Sequence, residues 1–239
     1  MIPTWIHNAA WACLAVGVVC AIIISLDLIR HPQRMWIMNV VWPVNGLFGT
    51  VLTLWLYYRF GRLSARDATD GNKESHNKRT RFPVMVAKGA MHCGAGCTLG
   101  DIVAESLALA FPVIATWAGW KSLFSEKMFA IWVVDYVLAF VLGVAFQYFT
   151  IKPMRDLSPT DGVVQAVKAH TLSLTAWQVG MYGFMAIAQF AIFRHLFGVS
   201  LEPSMPEFWF MMQIAMIAGF FTSYPVNWWL IQAGVKERM

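Results

Sequence analysis

The chain has 239 residues, of which 58% are hydrophobic and only 13% are charged. A soluble domain of this size carries about a quarter charged residues, so this chain has too few polar residues to cover a water-soluble fold. The net charge of +5 comes from Lys and Arg that lie mostly in short gaps between long apolar runs. This distribution is typical of topology signals next to anionic headgroups and gives no support to nucleic-acid binding.

Six segments of the chain are long and apolar enough to form membrane-spanning helices, which need about 20 mostly apolar residues each. They are residues 5–29, 35–58, 82–119, 128–151, 171–193 and 208–235. The sequence therefore predicts an all-α, polytopic membrane bundle of about six transmembrane helices. No internal repeat or second domain is visible, so residues 1–239 are interpreted as a single integral membrane domain.

Residues 59–81 form the one clearly polar and basic stretch, and they are predicted to be a cytoplasmic loop. With six crossings, twelve Lys and Arg residues fall on the side of this loop and five on the other side. By the positive-inside rule, this bias favours six helices with both termini in the cytoplasm. Arg30 and Arg34 disagree, because they follow the first helix on the side predicted to be external.

The third segment, residues 82–119, is too long for one straight crossing of a bilayer of about 30 Å. It is predicted to be long and bent or broken: one tilted helix, a re-entrant loop with a helix, or two short crossings. Four glycines in its first half permit either a break or a close helix crossing: Gly89, Gly94, Gly96 and Gly100.

A row of thiols and carboxyls is the most informative feature of this third segment. Cys93, Cys97, Asp101 and Glu105 recur every four residues. Residues i and i+4 share a face of a helix, so these side chains are expected to line one side of it. Ionisable side chains at membrane depth usually face a bundle interior or a water-filled cavity. We therefore expect a functional role for this face, with Asp101 near its middle.

A metal site is the first interpretation of this row. Thiolates with a neighbouring His suit copper(I) or zinc, and carboxylates suit harder ions. The predicted ligands of a copper or other transition-metal ion are His92, Cys93, Cys97 and Asp101. On a straight helix His92 points about 100° away from Cys93, which weakens its inclusion.

Further polar and sulfur-bearing residues are expected to line the same interior or an ion pathway. They are Glu105, Asp135, His170, Gln178, Met181, Met185, Met212 and Met216. Thioethers are soft ligands for copper(I), although methionine is equally an ordinary packing residue in apolar cores. The alternative for Asp135 is a structural pair with Lys88 or with a tryptophan indole.

Three functions follow from these features. The leading hypothesis is a membrane protein that binds or translocates a metal cation, copper(I) first, with no catalytic residue assigned. The second is a structural or accessory subunit, as a homo-oligomer or in a larger membrane complex. The third is a thiol–disulfide protein that uses Cys93 and Cys97, whose Cα atoms would lie about 6 Å apart on a helix.

Several stretches of the sequence resemble a known family. They are HCGAGCTLGDI from His92, TLSLTAWQVGMYG from Thr171, FWFMMQIAM from Phe208, and SYPVNWWLI ending at Ile231. In these stretches the chain resembles the bacterial membrane family catalogued as domain of unknown function 4396, from about Lys88 to its last residues. The resemblance implies a multi-pass protein of the bacterial inner membrane, and it implies no particular activity.

Overall fold

The computed structural model describes residues 1–65, 81–151 and 158–236. Within these ranges the regular structure is helical, and six helices are long and apolar enough to cross a membrane. The predicted all-α polytopic bundle is thereby confirmed. Most of the predicted basic loop, residues 66–80, lies outside the described part of the chain.

The helices are numbered in chain order. They are α1 (Thr4–Arg30), α2 (Met38–Leu56), α3 (Phe82–Ala110), the short α4 (Val113–Trp117), α5 (Lys127–Ile151), α6 (Pro159–Ala186) and α7 (Pro206–Gln232). Two helices continue as wider π-helical turns, α2 through Tyr57–Gly61 and α6 through Ile187–Arg194. All except α4 have the length of a membrane helix.

The long third segment contains one continuous helix. α3 has 29 residues and is therefore about 43 Å long, which exceeds a hydrocarbon thickness of about 30 Å. It ends at Ala110 with Phe111 as the C-cap, because Pro112 has no N–H to extend the helical hydrogen bonds. The break predicted for this segment thus lies between α3 and α4, while the glycine-rich stretch stays helical.

α2 folds back on itself at Thr50. This residue has φ 44° and ψ −126°, which interrupts the helix. The ring centroids of Trp42 and Tyr57 lie 5.5 Å apart. A straight helix would separate the Cα atoms of these two residues by about 22 Å. Gln33 and Ala65, which flank the segment, pair as an antiparallel bridge. α2 is therefore a helical hairpin with two arms, residues 38–49 and 51–61.

The tip of this hairpin lies near the middle of the bundle. Gly17, at the centre of α1, packs so closely on the carbonyl oxygen of Leu47 that a β-carbon would not fit. The Nε2 of Gln213 donates to the same carbonyl oxygen at 2.6 Å. Within the hairpin, the hydroxyl of Thr53 donates to the carbonyl oxygen of Asn45 at 3.1 Å. In lipid such side-chain donors replace the backbone partners that an interrupted helix loses.

Both ends of α2 lie at one end of the bundle, which is here named the Lys236 end. Trp36, which precedes α2, packs on Phe149 near the end of α5, with ring centroids 5.1 Å apart. The hydroxyl of Tyr224 in the last third of α7 donates to the carbonyl oxygen of Pro83 at 3.1 Å. The end of α1, the starts of α3 and α6, and the ends of α5 and α7 therefore lie together.

The opposite end, named the Glu126 end, contains the first residues of the chain. His7 pairs with Glu207 at the start of α7, with Nδ1 and Oε1 2.7 Å apart. Arg194 at the end of the α6 extension forms a two-pronged ion pair with Glu126, with both N–O distances 2.9 Å. The start of α1 and Lys236 thus lie at opposite ends of the bundle.

This arrangement differs from the one assumed in predicting both termini on one side. That prediction assumed that α2 crosses the bundle, whereas the hairpin returns to the end from which it started. Arg30 and Arg34 consequently lie at the Lys236 end, together with Arg59, Arg62 and Arg81. The disagreement that these two arginines caused in the sequence interpretation disappears.

Candidate functional site

Small residues bring α3 and α5 into close contact. A β-carbon on Gly100 would lie 2.8 Å from the backbone N of Ala139. A β-carbon on Gly96 would lie 3.0 Å from the Cα of Gly143. The distance at Gly100 is too short for a larger residue and the distance at Gly96 is tight, so the glycines serve a close helix crossing. This crossing places the polar face of α3 directly against the interior face of α5.

The four residues of the predicted row are all buried along this face of α3. Cys97 and Asp101 are 0% and 1% exposed, and Cys93 and Glu105 are also buried. Both cysteines are free thiols. We use the name α3 row for these four residues and the polar side chains of other helices that contact them.

Lys236 forms the first polar group at one end of the α3 row. Its Nζ donates to the carbonyl oxygen of Gly89 at 2.8 Å, to Oδ1 of Asn227 at 2.5 Å and to Oγ of Ser173 at 3.3 Å. An ammonium group has three donors, and all three have an acceptor here. The side chain lies beside Cys93, so a residue beyond the last membrane helix reaches into the bundle.

The charge of Lys236 depends on its burial. Desolvation lowers the pKa of this ammonium group to about 8, and a negative charge on the neighbouring Cys93 sulfur acts in the opposite direction. Lys236 therefore stays mostly cationic at neutral pH and loses its charge as the pH rises through about 8.

The next groups of the α3 row are the two thiols. Cys93 lies close to Cys97 and to the Ser173 hydroxyl on α6. Cys97 lies next to Asp101, one helical turn further along α3. The thiols thus connect the Lys236 end of the row with its carboxyl groups.

Two carboxyl groups meet at the centre of the bundle. Asp101 of α3 and Asp135 of α5 face each other closely enough to share a hydrogen bond when one of them carries a proton. The hydroxyl of Tyr182 donates to Oδ2 of Asp135 at 2.8 Å. The ring of Tyr182 stacks on Trp132 with centroids 4.4 Å apart, which fixes the hydroxyl in place. Within the described residues, neither oxygen of Asp101 has a hydrogen-bond donor.

Glu105 lies closest to the Glu126 end. It lines a cleft of about 90 Å³ that also contains Glu126, Lys127 and Glu202. The hydrogen bonds from Arg194 hold the pKa of the Glu126 carboxyl below its usual range. The α3 row therefore ends at a cleft with charged walls.

His92 and His170 lie near the α3 row without completing a metal site. His92 faces Lys88, Lys236 and His170, and neither of its ring nitrogens has a partner among the described residues. His170 packs against Gly143. In residues 1–65, 81–151 and 158–236, no group of three or more His, Cys, Asp or Glu side chains could hold a metal ion. The four predicted ligands are therefore not assembled as one set.

The sulfur-bearing residues belong to one buried apolar cluster. The two thiols of α3 share one buried cluster with thioethers of α6 and α7: Met181, Met185, Met212 and Met216. Gln178 is also buried, and its amide oxygen and nitrogen have no partner among the described residues.

Four members of the α3 row were not predicted as site residues: Lys236, Asn227, Ser173 and Tyr182. Lys236 was counted only as a topology charge, because it lies beyond the last apolar segment. The sequence feature that could have indicated its position is Gly234, which follows α7. Its φ of 71° turns the chain there. Tyr182 lies four residues after Gln178 and thus on the same interior face of α6.

A family model described as Domain of unknown function (DUF4396) matches residues 84–236. The chain belongs to this family. The match covers nearly all of α3, all later helices and Lys236, so the whole α3 row lies within the family domain. α1 and the α2 hairpin lie outside it. No curated protein and no solved structure matches the chain in these comparisons.

Proposed function

We propose that the protein moves cations across the membrane along the α3 row, and that the proton is the ion that moves. The observation that supports this proposal is the succession of neighbouring buried polar groups from Lys236 to Glu105. Its members are Lys236, Asn227, Ser173, Cys93, Cys97, Asp101, Asp135, Tyr182 and Glu105. Such groups are costly in a membrane and are usually retained for ion or proton pathways.

The chemistry of these groups suits a proton better than a larger ion. Thiols, hydroxyls and carboxyls can each take up a proton on one side and release another on the other side. Transfer therefore needs neighbouring groups in hydrogen-bond contact and no open pore. The pair Asp101 and Asp135 is the central proton-transfer site, because one carboxyl can pass a shared proton to the other. Tyr182 acts as a positioning residue that orients Asp135.

The most direct test changes Asp101 to asparagine, which keeps the shape of the side chain and removes its exchangeable proton. The purified protein is placed in liposomes with a trapped pH-sensitive dye, and a potassium diffusion potential drives proton uptake. We expect the uptake rate of Asp101→Asn to fall about tenfold or more below the wild-type rate. Asp161→Asn, which changes an exposed carboxyl in the first turn of α6, should retain the wild-type rate.

Two results would contradict the proposal. One is uptake by wild-type liposomes that does not exceed uptake by protein-free liposomes. The other is an equal rate in the wild type and in Asp101→Asn. For an accessory subunit, Asp101→Asn should lower thermal stability or assembly, and neither protein should conduct.

Copper(I) is the second candidate ion, and the shared sulfur cluster favours it. Thiolates and thioethers are the ligands that copper(I) prefers. A site of this kind would depend on Cys93, Cys97 and the methionines of the cluster, without His92 or Asp101. A thiol–disulfide function would use the same two cysteines, but their complete burial denies a partner thiol access to either sulfur.

Metal analysis tests the copper candidate. Protein purified under reducing conditions from copper-supplemented cells should contain about one copper(I) per chain, because the cluster offers only one thiol pair. Cys93→Ser/Cys97→Ser should lose this copper. Cys13→Ser/Cys20→Ser, which removes the two thiols of α1, should keep it. Equal copper content in all three proteins would remove the α3 thiols from any metal site.

We further propose that the Lys236 end faces the cytoplasm of a bacterial inner membrane. Eight described Lys and Arg residues lie toward this end, namely Arg30, Arg34, Arg59, Arg62, Arg81, Lys88, Lys168 and Lys236. Near the Glu126 end there are three, namely Lys121, Lys127 and Arg194. Residues 66–80 connect Ala65 to Arg81, which both lie at the Lys236 end, and their sequence contains four more basic residues. Cytoplasmic segments carry such an excess.

Reporter fusions test this orientation. Alkaline phosphatase, which is active only outside the cytoplasm, should be active when fused before Met1 and inactive when fused after Met239. A green fluorescent protein that matures only in the cytoplasm should give the opposite pattern. The same pattern at both positions would mean that α2 crosses the membrane, and it would contradict the hairpin.

A further inference from the structure

A cavity of about 190 Å³ lies where the tip of the α2 hairpin meets α1, α3 and α7. Its walls are mostly apolar and include Leu47 and Phe48 from the tip and Trp209 from α7. An apolar protein cavity of about 150 Å³ is large enough to hold benzene. The cavity can therefore hold one aromatic ring with a short substituent.

One ionisable group lines this cavity. Asp101 is 1% exposed, and neither of its carboxyl oxygens receives a hydrogen bond from a described residue. The other polar side chains of the lining have partners on the backbone. Thr98 donates to the carbonyl oxygen of Gly94 at 2.8 Å, and Gln213 donates to that of Leu47 at 2.6 Å. A ligand in this cavity would therefore meet one carboxyl group among the lining side chains, that of Asp101.

The cavity combines a carboxyl group with aromatic walls. Phe48 and Trp209 are both part of its lining, and the indole N–H of Trp209 is already occupied by the carbonyl oxygen of Pro203 at 2.8 Å. The faces of such rings attract organic cations, and a carboxylate adds a full opposite charge. These features fit a positively charged ligand with an apolar body.

The cavity reaches the lipid-facing side of α1. Val18 belongs to its lining and is also 49% exposed on the outside of the bundle. An apolar cation that partitions into the bilayer could enter past this residue without crossing a polar surface. Val18 therefore marks the entrance of the cavity.

We propose that this cavity binds a small lipophilic ammonium ion, which takes the place of a proton on Asp101. When the ammonium ion enters, the protonated carboxyl of Asp101 releases its proton to the α3 row and the carboxylate pairs with the ammonium charge. One positive charge enters and one leaves, so the site stays electrically balanced. This inference rests on the proposed function in that the released proton leaves through the α3 row.

The groups that face Asp101 set the charge balance of this exchange. They are Asp135 of α5 and, one turn away on α3, Cys97 and Glu105. The cavity residues of α1, α2 and α7 in the described chain include no titratable side chain. Proton release on ligand binding is therefore assigned to Asp101 and its partner Asp135.

Benzyltrimethylammonium is a suitable probe, because it has one aromatic ring and a permanent charge and carries no proton of its own. It is added to the purified protein in weakly buffered detergent solution, and binding heat and dye-reported pH are measured together. We expect saturable binding with the release of about one proton per bound ion. Neopentylbenzene, the uncharged compound of the same shape, should release no proton and bind more weakly.

Three variants sharpen this test. Asp101→Asn should weaken binding about tenfold or more and abolish proton release. Phe48→Leu should weaken binding about threefold to thirtyfold and still release a proton. Val18→Phe, which narrows the entrance at an exposed position, should also weaken binding. Equal binding of the charged and uncharged compounds, or proton release unchanged in Asp101→Asn, would overturn the proposal.

The liposome experiment separates failure of this site from failure of the proposed function. Proton uptake driven by voltage alone, without ammonium, depends on the α3 row and needs no ligand. If uptake occurs and benzyltrimethylammonium does not bind, the ammonium site is rejected and proton conduction stands. If the ion binds with proton release and no uptake occurs, conduction is rejected and the site stands.

Discussion

Close packing between α3 and α5 is the constraint on which the rest of the site depends. Within a bilayer no water is present to form hydrogen bonds with a polar side chain. An acidic residue on one helix is therefore tolerated only where a neighbouring helix supplies a polar partner. Gly96 and Gly100 allow the α5 backbone to approach within van der Waals distance. This close approach makes Asp135 the neighbour of Asp101, where a looser crossing would leave lipid. A larger side chain at Gly100 would push α3 and α5 apart and separate the two carboxyl groups.

The α3 row and the α2 hairpin make distinct contributions. The row is formed by residues of the family domain, 84–236, and it extends from Lys236 to the cleft at Glu105. The hairpin lies outside that domain, and its tip supplies the apolar and aromatic wall beside Asp101. Proton movement along the row would be a property of the family domain, whereas ammonium binding also needs the hairpin tip. One carboxyl group, that of Asp101, belongs to both.

The face of α3 was predictable from local spacing, whereas the contacts between residues distant in the sequence were not. Residues four apart share a helix face, so the sequence indicated that Cys97 and Asp101 lie together. The reversal at Thr50 left no such signal, because hydropathy is the same for a helix that crosses and one that returns. The position of Lys236 was not predictable either, because only tertiary packing places a lysine that follows the last helix inside the bundle. The same limit applies to the sulfur cluster, whose members come from three helices.

A cross-linking measurement tests the facing carboxyl groups most directly. In a variant without native cysteines, Asp101→Cys and Asp135→Cys are combined and treated in membranes with dibromobimane, which fluoresces when it joins two nearby thiols. The control combines Asp135→Cys with Val103→Cys, which lies two residues away on the lipid-exposed side of α3. We expect strong bimane fluorescence from the first pair and little from the control. Equal fluorescence from both pairs, or a stronger signal from the control, would contradict an interior row along α3.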